Sequence, residues 1–541
     1  MSTNISIGRS DRQITVRRAI AASCVIACGL CILRPAAGAH FRALLRSHPL
    51  SVIIVGGGPT AEHNQVAIEN NVRYVSRLLP PDTHLSTLFA DGDVNNASVL
   101  YLDDVKALAP DEEALALALQ GSDKDFKSYG HYRKPAIPGS LVGASSRQNV
   151  GMLLDKVGLE SQNEGVNGSV LLYFTGHGSP LNGNLENNHY DLWGSSSGLS
   201  VRELAGQIAH LPAEVPLTVV MAQCYSGAFG NLLFEGGNPS NSYIQRDIAG
   251  FFATTKERVA AGCTPALNEA DYHDFTSYFF AALTGQDRLG RKVSGADYDH
   301  DGHVGMDEAF CYTLVHDESV DVPVCTSDVM LRHEVPFKIE ELKLTPYSDL
   351  RRWASKPQKA ALDGLSVRLK LNSEERYSLA LEMINPRPDR AAERNYNQLA
   401  DEFKQLRNAR RTFLFSRWPD LRHPDSREYR VAHQEALDQI ASQLRGGGEW
   451  NELIKAYDAR EAADSATEES ENTAAAALRF VRLSTSICLA HRLMQEGTPD
   501  QVSRYTRLVA AERRPLLEPA RKSNNVNDEI TVARLRQVPT P

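Results

Sequence analysis

The sequence predicts an α/β fold: a mostly parallel sheet flanked by helices, followed by an α-helical C-terminal region. Three observations carry this. Short apolar runs alternate with helical periodicity from Ser51 to about residue 345, the pattern of buried parallel strands joined by crossover helices. Beyond that point the aliphatic runs stop, and long segments rich in Ala, Leu, Glu, Arg and Gln replace them. Composition is that of a globular chain, 42% hydrophobic and 23% charged over 541 residues, which excludes collagen-like, wholly disordered and disulfide-dense chains. With 58 Lys+Arg against 67 Asp+Glu, the net charge of −9 argues against a broad phosphate-binding surface. No nucleic-acid partner is expected.

Taken in order, Ser51 to Val55 is an apolar run that ends in glycines, and Glu62 to Leu79 has helical periodicity. Leu85 to Ala90 is a second apolar run, stopped by Asp91-Gly92-Asp93, and residues 105 to 145 read as mixed and loop-rich. Val150 to Leu159 is a helix, Ser169 to Phe174 a strongly apolar strand, and Val201 to His210 an amphipathic helix. Leu217 to Met221 and Gly250 to Thr254 are further strands. Arg390 to Phe415 and Tyr429 to Leu444 are long helices, with a break at Gly446-Gly447-Gly448. The expected organisation is a leader over 1–39, a catalytic domain over 48–345, a helical region over 346–520 and a polar tail over 521–541.

The leader reads as an export segment. Arg9, Arg12, Arg17 and Arg18 precede the apolar stretch Ala19 to Leu33, and Ala37-Gly38-Ala39 fits a small-x-small cleavage site. Val25-Ile26-Ala27-Cys28 also fits a lipoprotein box, and Arg17-Arg18 a twin-arginine signal. The expected location is secreted or periplasmic, with membrane attachment only through this leader. Outside it the cysteines are Cys224, Cys263, Cys311, Cys325 and Cys488. An odd number in an exported chain leaves at least one free thiol. Cys311 and Cys325 are spaced to allow a disulfide, with Cys263 as a competing partner.

The chemistry concentrates at two strand ends. One strand runs into Thr175-Gly176-His177-Gly178-Ser179, the other into Ala222-Gln223-Cys224-Tyr225-Ser226-Gly227. Ligands of open parallel sheets bind outside the carboxyl ends of the strands. A His beside a Cys there takes the thiol proton and later returns it to a leaving amine, while glycine-framed backbone N–H groups stabilise an oxyanion.

LLYFTGHGSP followed by VVMAQCYSGAF resembles the His-Gly and Cys signatures of the caspase-like clan of cysteine peptidases, which includes caspases, metacaspases and legumains. GFFATTKERVAAGCTP and DYHDFTSYFFAAL are similar to the strand, loop and helix that follow the legumain nucleophile. The likeness spans roughly Ser51 to Val320. It implies a caspase-like fold with Cys224 as nucleophile, His177 as general acid/base, and Gly178 with the Cys224 amide as the oxyanion hole. The substrate it implies is a peptide or protein. At Gln223 the sequence departs from the legumain and metacaspase patterns, so side-chain preference does not carry over and a transamidase or ligase role stays open.

Asp297 to Glu308 matches an EF-hand calcium loop: Asp297, Asp299 and Asp301 at positions 1, 3 and 5, Gly302 at 6, the His303 carbonyl at 7 and Glu308 at 12. Met306 to His316 is the exiting helix. Ca2+ is therefore the expected cofactor. Val55-Gly56-Gly57-Gly58-Pro59 lacks the third glycine of a dinucleotide fingerprint. It predicts a tight turn, with no nucleotide or flavin. The leading expectation is an exported cysteine endopeptidase. Its rivals are a catalytically silent caspase-like module that binds partners with calcium, and a flavin or NAD oxidoreductase.

Overall fold

Four fully or mostly buried parallel strands form the centre of a seven-stranded sheet. Its members are β1 (Ser51–Gly57), β2 (His84–Phe89), β3 (Leu141–Gly143), β4 (Val170–Gly176), β5 (Leu217–Met221), β6 (Ile248–Phe252) and β7 (Val324–Cys325), in the order β7-β6-β5-β4-β1-β2-β3. Every pair is parallel except β6 with β7. The computed structural model describes residues 50–516, apart from 82, 103–107, 120–130, 138, 164–167, 385–389, 424–425 and 447. The expected leader over 1–39, with Cys28, and the tail over 521–541 lie outside the described residues.

Alternation along each strand separates two cores. Ile53, Val55, Leu172, Phe174, Val219 and Met221 face one. Val52, Ile54, Leu171, Tyr173, Val220 and Ala222 face the other. α1 (Val66–Leu78) covers the second face, and α2 (Pro110–Leu119) stands apart from the sheet. α3 (Arg147–Asn163) and α4 (Val201–Ile208) cover the first face. α5 (Phe275–Thr284) and α6 (Met306–His316) join the second. Local signals set these boundaries. Ser200 and Glu203 form a capping box at the start of α4, and Asp274 caps α5, which ends at Gly285 in the left-handed region.

α7 (Thr326–Glu334) leads to the short helices α8 (Ile339–Lys343), α9 (Tyr347–Trp353), α10 (Lys356–Arg368) and α11 (Arg376–Ile384). α12 (Arg390–Arg417), α13 (Tyr429–Leu444), the 48-residue α14 (Glu449–Glu496) and α15 (Pro499–Glu512) complete the chain. By length and composition α14 contains a stretch apolar enough to cross a bilayer, but 67% of it is buried inside the protein. Leu508 joins the first sheet core and Ala511 the second. Sheet and C-terminal helices fall within one compact unit.

Within the stretch read as loop-rich lie α2 and β3. PDEEALALAL has no amphipathic stripe, because Ala114, Leu115, Leu117, Ala118 and Leu119 are all buried among Phe403, Leu414, Trp418 and Trp450. The sixth strand begins two residues earlier than Gly250. Cys311 and Cys325 are both free and sit in different hydrophobic clusters, so the spacing that allowed a disulfide does not bring them together.

One contact ties the C-terminal helices to the sheet. The buried Glu512 carboxylate accepts from Thr326 Oγ1 at 2.7 Å and Ser327 N at 2.6 Å, and the Thr326 hydroxyl accepts from Gly250 N at 3.1 Å. Replacing Glu512 by Ala leaves two buried donors unpaired, so Glu512→Ala should lower the urea unfolding free energy by about 1–3 kcal/mol, more than Glu512→Gln. Equal stability of Glu512→Ala and the parent chain would show that this contact does not hold the sheet edge.

Candidate active site

The register of two strands places the predicted pair. Phe174 on β4 pairs with Met221 on β5, and Ala222 N donates to Phe174 O at 2.9 Å. His177 and Cys224 are each the third residue beyond that pair, just past the ends of strands about 4.8 Å apart. Tyr173 and Ala222 face the core under α1 and α5; His177 follows the end of β4, and Cys224 lies in the turn that follows β5. The two motifs also touch through their backbones: a β-carbon on Gly178 would lie 2.3 Å from the Cys224 carbonyl oxygen. Only glycine permits that approach.

His177 is held from α1. Its Nε2 lies 2.9 Å from Oε1 of Gln65, the residue that opens α1, and its ring meets His63 edge-on at 5.9 Å. Beneath it, Asn71 Nδ2 donates to Thr175 Oγ1 at 2.9 Å and to Asp274 Oδ2 at 3.3 Å, and Arg288 ion-pairs with Asp274 at 3.1 Å. Asp191 N donates to His177 O at 3.0 Å, beside the antiparallel pair Gly178–Tyr190. In that ladder Gly178 belongs to the pair that exchanges no hydrogen bonds, so its N–H points away from Tyr190.

Cys224 is held by the loop after β6. Ala260 N donates to Cys224 Sγ at 3.2 Å, and Sγ donates back to Ala260 O at 3.6 Å. Tyr225 N donates to Arg258 O at 2.8 Å. Tyr225 itself has φ 59°, a left-handed conformation costly for a bulky side chain and concentrated at functional sites. Cys224 N donates to no backbone acceptor among the described residues. Its N–H bonds the Cys224 sulfur instead and, with Ala260 N, favours the thiolate.

Electrostatics describe a neutral pair at rest. Burial pushes the Cys224 thiol up to about 11; the Ala260 N–H bond opposes this, and Cys263 and Asp321 add to it. Burial holds His177 below its ordinary value, while the Asp191 carboxylate and a bond to the His63 backbone pull it up. Among the described hydrogen bonds none joins Cys224 to His177; each has another partner. Cys263 stands beside them, its Sγ donating to Gly176 O at 3.4 Å, and burial raises it to about 12. Sequence reasoning missed Gln65, Asp191 and Ala260. Only the fold brings them in: Gln65 and Asp191 lie in no motif, and Ala260 lies in the 250–265 segment without a feature that marks it.

The calcium loop is partly assembled. Carboxylate oxygens of Asp297, Asp299 and Glu308 lie within 4.8 Å of one another. Asp301 stands outside that group, and its Oδ1 accepts from His303 N at 2.9 Å. Gly302, at the turn position, has φ 92°. Glu308 accepts from Tyr298 N at 2.7 Å, Asp299 N at 2.9 Å and Gly305 N at 2.9 Å. No helix enters the loop; a turn bridged by Gln286 and Lys292 precedes it.

Because the thiolate is the reactive form, the rate of Cys224 alkylation by iodoacetamide should climb about tenfold per pH unit between about pH 6 and 9.5 without levelling. Mass-spectrometric mapping checks this. A plateau below pH 8 would show a preformed thiolate–imidazolium pair instead. No protein-family model and no curated protein matches the sequence, so this site is read from its own residues and geometry.

Proposed function

We propose that this chain is an exported cysteine endopeptidase of the caspase-like type. The observation that carries the reading is the shared offset of His177 and Cys224 beyond the Phe174–Met221 pair, at the carboxyl edge of adjacent parallel strands. Substrate binding brings a peptide carbonyl over Cys224. The thiol proton passes to His177 as sulfur attacks, and the oxyanion forms against the Gly178 N–H. His177 returns the proton to the leaving amine, and water then hydrolyses the thioester. Exposed Val94, Leu181, Leu185, Val259 and Leu267 lie on loops that leave the carboxyl ends of β2, β4 and β6, and offer apolar contact to an extended peptide.

A second reading has its own support. The Cys224 thiol is satisfied by Ala260 and His177 by Gln65, as a silent module used for binding would allow. Peptidyl thiol-reactive probes carrying Asp, Asn, Arg or Lys beside the reactive group separate the two. The peptidase should be labelled at Cys224 by one of them, and both Cys224→Ala and His177→Ala should lose cleavage by 10³-fold or more, a size typical of dyad removal. Turnover that persists in Cys224→Ala would end the peptidase reading. Labelling with transfer to added amines in place of hydrolysis would identify a transamidase.

The residues at 297–308 fit calcium. The donor set is all oxygen, and Asp297 Oδ1 is buried with no hydrogen-bond partner. Asp297, Asp299 and Glu308 would hold the ion; the ion would supply structural support to the start of α6. Calcium at about 100 times its Kd should raise Tm by about 2–4 °C, and Glu308→Gln should remove the rise. An unchanged Tm in the parent chain, with and without chelator, would count against the site.

A further inference from the structure

A buried arginine of the C-terminal region reaches the proposed nucleophile through a single loop. Arg479 lies in the second half of α14 and is 1% exposed. Its guanidinium donates to three carbonyls in one turn of chain: Asp317 O, Ser319 O at 2.6 Å and Asp321 O at 2.6 Å. It also stands 3.5 Å from the Asp317 carboxylate, with both side chains wholly buried. No other side-chain type presents a planar fork able to gather three carbonyls in this way.

The loop so gathered holds the nucleophile's loop in turn. Asp321, fully buried, accepts from Ala261 N at 2.7 Å through Oδ1 and from Phe275 N at 3.0 Å through Oδ2. Ala261 follows Ala260, whose N–H donates to Cys224 Sγ at 3.2 Å. The other carboxylate oxygen fixes the first residue of α5. The chain of contacts therefore runs Arg479, residues 317–321, Ala261, Ala260, Cys224.

We infer that Arg479 is a positioning residue for Cys224: by clamping residues 317–321 it holds the Ala260 N–H against the sulfur. The C-terminal helices are thus part of the catalytic apparatus and not a removable appendage. This rests on Cys224 being the reactive thiol of the proposed function, though the contact itself is independent of any substrate.

Alkylation of Cys224, mapped by mass spectrometry in the full chain, tests it. In Arg479→Met the thiolate loses its backbone donor, so the rate at Cys224 should fall about tenfold at fixed pH, the worth of one hydrogen bond to a charged group. Arg479→Lys keeps the charge but not the fork, and should show a smaller fall. Cys488, half-buried further along α14, serves as the reference and should keep its rate. Mere loosening of the fold would speed alkylation at both cysteines. Folded variants in which Cys224 reacts at the parent rate, or faster, overturn the inference. Where neither variant folds, hydrogen exchange in the parent chain decides. The amides of Ala260 and Ala261 should then be protected together with residues 317–321 and 475–485, and their early, separate exchange overturns it. A parent chain that cleaves no peptide, while the Arg479 variants still slow Cys224 alkylation, would remove the peptidase reading and leave this one standing.

Discussion

The parallel register of β4 on β5 is the constraint on which the rest depends. Phe174 opposite Met221 gives residues 177 and 224 the same offset beyond neighbouring strands. A slip of one residue would break that shared offset and send the strand's alternate residues to the wrong core. The register is strongly fixed because both strands are buried on both faces, and each alternate residue belongs to a different core. The stability of the sheet and the geometry of the site are therefore one requirement. The glycine at 178 meets the same requirement at closer range, since the Cys224 carbonyl occupies the place where a side chain would begin.

Burial sets the chemistry of the pair. Desolvation raises the thiol and lowers the imidazole, so both groups are neutral at rest. The Ala260 N–H and the Asp191 carboxylate oppose this, one favouring thiolate and the other imidazolium. The left-handed Tyr225 is the backbone counterpart: it turns the chain sharply after Cys224, and its N–H is bound by Arg258 O.

How much of this was legible in the sequence depended on distance along the chain. His177 and Cys224 were legible because an apolar strand and a glycine frame each of them locally. The central strands were legible because burial on both faces leaves unbroken apolar runs. Asp297 to Glu308 was legible because its ligands fall within one loop. What escaped notice depends on partners far away in sequence. PDEEALALAL reads as patternless until Trp418 and Trp450 surround it. Gln65 looks like an ordinary residue before a helix until His177 arrives beside it. Asp321 and Arg479 are an unremarkable acid and base until the fold buries both. Asp301 shows the reverse case, for the spacing that marked it as a ligand does not place its carboxylate with the other three.

α6 joins two of these features. Its N-terminus carries Glu308, which closes the acidic loop by accepting from Tyr298, Asp299 and Gly305. Its C-terminus leads directly into Asp317, the first residue under the Arg479 clamp. Eleven residues of helix span about 16 Å as a stiff rod. Whatever fixes one end of α6 also fixes the other, since its flank is packed against α5 and α10 through Ala309, Cys311 and Leu314. The acidic loop and the turn gathered by Arg479 thus lie at the two ends of one helix, and the helices that follow residue 346 supply the arginine.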